Sequence, residues 1–173
     1  MRWHTADFHA LSWQGIHVHG WRIIERAPGV ADLALDIDWV LAWPQPDDGD
    51  PGHVVAQAML VFHDVAGLRF VLDYAACSAA SGPFSINTLH REPLERDAAG
   101  DGGPRSGLPG DDGPEDEWPE DAGIAEDYGP WRWRIDLAWP EGEWVFEASG
   151  FSQWLVGEPH RLDEPVLPMA LRS

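Results

Sequence analysis

The chain has 173 residues, the size of one ordinary domain, and carries 30 acidic side chains against 11 basic ones, a formal charge of −19. All 11 basic residues are arginine, which excludes a Walker-type phosphate loop and Schiff-base chemistry, and the single cysteine, Cys77, excludes an internal disulfide, a thioredoxin-like pair and any multi-cysteine zinc cluster. So strong a negative charge repels phosphate backbones, and nucleic acid is not an expected ligand.

From the N-terminus, polar groups stand among the first eight residues where the apolar stretch of an export signal would lie, and the expectation is a cytoplasmic protein. Period-two alternation then predicts a strand over 16–26 and another whose one face carries Leu33, Leu35, Ile37, Trp39, Leu41 and Trp43. Its other face carries Asp32, Ala34, Asp36, Asp38, Val40 and Ala42 and reads as solvated. Further strands are expected over 54–62, 68–74, 131–139 and 144–151, with a weaker one over 85–91. The most apolar stretch, 54–74, is broken by Gln57, His63, Asp64, Arg69 and Asp73 and falls short of the roughly 18 to 20 apolar residues that span a bilayer. The expected fold is mainly β: an antiparallel sandwich or barrel of about seven strands in one domain, 1–173.

Residues 92–129 interrupt this pattern with 13 acidic residues, two arginines, eight glycines and five prolines. They have too few apolar side chains to offset the entropy of ordering them, so they are expected to be a disordered acidic loop insertion, with Trp118 its one large apolar anchor.

Turn geometry sets two expected registers. A two-residue turn at Glu141 and Gly142 would place Trp139 opposite Trp144, Leu137 opposite Phe146 and Ile135 opposite Ala148. In the first hairpin, a three-residue turn at Pro28, Gly29 and Val30 would pair Arg26 with Asp32 and Arg22 with Asp36, and it is preferred to a two-residue turn, which sets Glu25 against Asp32.

That choice governs the sharpest chemical candidate. His17 and His19 are two apart and share a strand face, so they could share a metal. The two-residue turn brings Asp38 beside His19 and completes a His17, His19, Asp38 ligand set. The preferred register instead places both histidines beside Trp21, Ile23, Trp39 and Leu41 as structural residues, with no metal and no cofactor. Asp36 and Asp38 are explained by pairing with Arg22 and by solvent. Adjacent residues on a strand point to opposite faces, so His63 and Asp64 are not expected to form a dyad. Cys77 has no basic neighbour in sequence to activate it and reads as a buried or idle thiol. The acidic turn at Asp47, Asp48, Gly49 and Asp50 lacks the EF-hand spacing and reads as solvated.

Four segments, Trp3-His4-Thr5-Ala6-Asp7-Phe8-His9, Leu35-Asp36-Ile37-Asp38-Trp39-Val40, Met59-Leu60-Val61-Phe62-His63-Asp64-Val65 and Phe146-Glu147-Ala148-Ser149-Gly150-Phe151-Ser152-Gln153-Trp154, resemble a group of small uncharacterised bacterial proteins. The resemblance attaches no activity and no site residue. Size, acidity and β content are in addition similar to those of immunity proteins of bacterial toxin systems. The expected function is therefore a non-catalytic acidic binding protein, an immunity-like partner of a basic protein that touches neither nucleic acid nor membrane. Two alternatives stand beside it: a small-molecule binder in a Trp-lined β-barrel, and a metal-dependent enzyme using His17 and His19.

Overall fold

Alternating apolar and polar residues bury one side of several strands, and the chain satisfies its backbone groups by pairing nearly every such run with its neighbour. The computed structural model describes residues 1–44, 52–72, 82–94 and 129–172. Among them lie ten strands: β1 (Arg2–His4), β2 (His17–Ala27), β3 (Val30–Ala42), β4 (His53–His63), β5 (Ala66–Leu72), β6 (Phe84–Pro93), β7 (Trp131–Trp139), β8 (Gly142–Ala148), β9 (Gly150–Leu155) and β10 (His160–Leu162). All pair antiparallel in one sheet, in the order β1-β9-β4-β3-β2-β6-β7-β8-β5, with β10 continuing beyond β9 along the same edge of β4. The sheet is not closed. It is curled, however, since Phe62 of β4 and Trp133 of β7 stand four places apart in strand order with ring centroids only 5.1 Å apart.

The concave side holds the core, built from Leu33, Leu35 and Ile37 of β3, Leu60 and Phe62 of β4, Trp133 and Ile135 of β7, Trp144 and Phe146 of β8 and Phe151 of β9. A 3-10 turn over Thr5–Ala10 plugs one end, with Phe8 packed on Trp13, Trp133 and Phe151. Thr5 fixes it there, because its hydroxyl accepts from the Phe151 amide at 2.7 Å and donates to the Phe151 carbonyl at 3.3 Å.

Several expectations need correction. The run 144–151 is two strands, since β8 pairs with β5 and β7 whereas β9 crosses to β4 and β1. Ser149 is the corner, its amide donating to the His63 carbonyl at 2.9 Å. In the β7–β8 hairpin Ile135 faces Trp144, Trp133 faces Phe146 and Leu137 faces Gly142, four residues from the expected register. The faces survive because the offset is even. Gly142 starts β8 rather than ending a turn: a side chain there would drive its Cβ to 2.3 Å from the Val71 carbonyl oxygen of β5.

The β2–β3 hairpin also departs from the preferred register. Ala27 pairs with Val30 across a two-residue turn of Pro28 and Gly29, the latter at φ 76°, and register shifts at Arg26 and at His19 follow. Glu25 consequently meets Ala31, Arg22 meets Ala34 and His17 meets Asp38. The Arg26–Asp32 ion pair still forms, Nε to Oδ2 3.3 Å, because the first bulge turns Arg26 toward the carboxylate without direct pairing.

A third bulge, at Leu41, ends the alternation of β3 and leaves Trp43 exposed. The opposite face of β3 is not solvated: Asp32, Ala34, Asp38 and Val40 are all buried. Of the acidic insertion, 95–128 lies outside the described residues, as do Cys77, Trp118 and the turn at 47–50. Its flanks are ordered further than expected. Glu92 and Pro93 belong to β6, and the Leu94 amide donates to the Pro130 carbonyl at 2.9 Å, so the segment leaves and returns at one hairpin end.

Candidate functional site

Three carboxylates at even spacings, Asp32, Asp36 and Asp38, stand on the face of β3 that points away from the aromatic core. A buried carboxylate is costly without hydrogen bonds or a counter-ion, and each of these has both. Asp38, fully buried, accepts from the Leu167 amide at 3.0 Å on Oδ2, which also lies 2.6 Å from His19 Nε2. The Arg172 guanidinium spans Asp38 Oδ1 and Asp36 Oδ1, and Gln57 donates a further bond to Asp36 at 3.1 Å. The segment carrying Leu167 and Arg172 is thereby strapped across β3, with Leu167 buried beneath it.

His17 lies directly across from Asp38. Burial pushes its pKa below the ordinary histidine value; Asp38 opposes that shift and His19 adds to it. The strap backbone at Pro165 also works against the shift, and Nδ1 of the ring has no hydrogen-bond partner among the described residues. The structure thus gathers His17, His19 and Asp38, as the rejected two-residue turn implied, and does not set the histidines among Trp21 and Trp39. Both oxygens of Asp38 are engaged, however, and Arg172 supplies the positive charge that a metal would bring. Among the described residues no group of three or more His, Cys, Asp or Glu is arranged to hold a metal ion.

A second constellation escapes inspection of neighbouring residues. His63 Nδ1 lies 3.2 Å from Asp32 Oδ2, and its Nε2 lies 2.9 Å from the Ser152 hydroxyl. Asp32 is anchored by Arg26 and by the Asp64 amide, which donates at 3.2 Å from a turn where Asp64 has φ 56°. The partners of His63 are 31 and 89 residues away, so only the pairing of β3, β4 and β9 reveals them.

The remaining candidates are absorbed by packing. Trp13, Trp39, Trp133 and Trp144 are core residues, and the exposed Trp21 packs against Phe70 at a tilt, with ring centroids 4.7 Å apart. Arg132 and Arg134 are neutralised in place, the former by Glu147 at 3.8 Å, the latter by Asp136 at 2.7 Å and Glu143 at 3.1 Å. Burial alone would raise the Asp136 carboxyl, but hydrogen bonds from Arg134 and Thr88 outweigh it and hold the group below the usual carboxylate value. No helix among the described residues is long and apolar enough to cross a membrane. No family model, curated protein or solved structure matches the chain.

Proposed function

We propose that the chain is a cytoplasmic binding protein that engages a basic protein partner, in the manner of an immunity protein, through the acidic insertion between β6 and β7. The observation that carries this reading is the division of charge. The described residues hold 14 acidic side chains against nine arginines, whereas 95–128 alone holds 12 against two. Within the fold the buried carboxylates are spent on Arg26, Arg172 and histidine, so they hold the sheet together and offer little to a partner. The insertion offers a dense negative charge tethered at one point, which accelerates encounter with a positive surface and selects against acidic competitors.

The test is a panel of folded basic proteins presented to the full chain at 50 and 300 mM salt. One member binding with 1:1 stoichiometry, and far more tightly than the rest, supports the reading. Uniform weak adsorption that vanishes with salt for every member contradicts it.

A further inference from the structure

We infer that Ser152 is a nucleophile, activated by His63 and oriented through Asp32, that accepts acyl groups from small carboxylic esters. The three side chains come from three adjacent strands, β9, β4 and β3, and lie in line on the convex face. Their roles follow from the contacts. Asp32 accepts from His63 Nδ1–H, which fixes the tautomer that leaves Nε2 free to accept the Ser152 hydroxyl proton. Asp32 is itself immobilised: Arg26 Nε stands 3.3 Å from Oδ2, and the Asp64 amide donates to Oδ1. The turn beyond His63 is held in turn by Ser149, whose hydroxyl donates to Asp64 Oδ2 at 2.8 Å. Ser152 is partly exposed and the His63 side chain is 12% exposed, so an ester can approach Oγ from solvent.

In the reaction Ser152 Oγ bonds to the ester carbonyl carbon as its proton passes to His63 Nε2. The bond from that carbon to the leaving alcohol oxygen then breaks, and the alcohol departs with the proton from Nε2. Water, deprotonated by the same nitrogen, later attacks the acyl-serine, releasing the carboxylic acid and returning the proton to Oγ. Ser152 and His63 touch the reacting atoms; Asp32 is a positioning residue. β9 runs between β1 and β4, and its Phe151 amide is taken by the Thr5 hydroxyl, so the amides around Ser152 are engaged and do not form an oxyanion hole. Such a donor is worth about 10²- to 10³-fold in rate, and turnover here is slower by that order than in a complete serine hydrolase.

The full chain is treated with an alkyl fluorophosphonate, the adduct is located by peptide mass spectrometry, and acyl transfer from p-nitrophenyl acetate is followed in parallel. The expected result is one adduct per chain, at Ser152, formed at a rate that rises with pH as an imidazole deprotonates and falls at least tenfold in His63→Gln. Ser152→Ala takes no label. No adduct, an adduct confined to another residue, or a Ser152 labelling rate indifferent to both pH and His63 overturns the inference. Should His63→Gln fail to fold, the pH profile of the unaltered chain decides. Labelling needs no partner and no insertion, so this result is independent of the binding reading.

Discussion

Asp38 and Arg172 show how a residue's position in the chain decides what its loss costs. Asp38 sits in the middle of a central strand and cannot reach water, whereas Arg172 belongs to no strand and has a long side chain that can swing out once unpaired. Arg172→Ala, which strands a buried carboxylate, should cost about 3 kcal/mol, more than Asp38→Asn, and the double variant should recover part of that loss. Thermal melts of the four chains measure it; equal and additive losses would show that the pair is not coupled. Zinc at a hundred times a supposed dissociation constant would stabilise by about 2.7 kcal/mol if His17, His19 and Asp38 bound it, and no such shift is expected with Arg172 in place. Of this site, the sequence shows that the histidines share a strand face and that Asp38 stands on a polar row. It does not show the strap, because nothing in residues 163–172 has strand or helix periodicity. Asp32, His63 and Ser152 stay hidden for a different reason: each looks ordinary in its own segment.

At the scale of elements, alternation locates strands well and turns locate registers poorly. Leu33, Leu35 and Ile37 are buried as their spacing demands, but bulges at Arg26, His19 and Leu41 each insert one residue, which period-two reading cannot detect. The second bulge puts both histidines on the carboxylate side and so creates the pH response of the strap. His17 binds a proton less readily in the folded chain than in the unfolded one. Its contribution to stability is therefore complete above about pH 6.5 and is lost as pH falls below that value. His17→Gln should flatten this limb, leaving a separate loss near the carboxylate range where Asp136 takes up its proton; an unchanged slope between pH 7 and 5 would remove His17 from the account. The hairpin end at Leu94 and Pro130 gives an element-scale prediction of its own. Replacing 96–128 with a short glycine-serine turn should shift the melting temperature by only a few degrees, since the paired ends already stand together and loop entropy changes slowly with length. Failure to fold would show that the segment supplies part of the core.

Across the whole molecule, an open sheet is stable because its curl brings aromatic rings from distant strands into one cluster. Trp144 touches Trp21, Phe70 and Phe84, and Trp39 touches Trp3 and Trp13. Truncating either to alanine should cost about 3 to 5 kcal/mol, on the order of 10 °C in melting temperature for a chain of this size; a melt within two degrees of the parent would mean the curl does not depend on that ring. The fold thus consumes most of its aromatic and buried ionic groups internally, and the proposed binding reading rests on the charge concentrated in 95–128. The most direct measurement compares the tightest basic partner's affinity for the native chain with its affinity for a chain in which all 12 carboxylates of that segment are changed to amides. The affinity should fall at least 100-fold while the melting temperature stays within two degrees. Undiminished affinity in the neutralised chain would contradict the account and return recognition to the sheet.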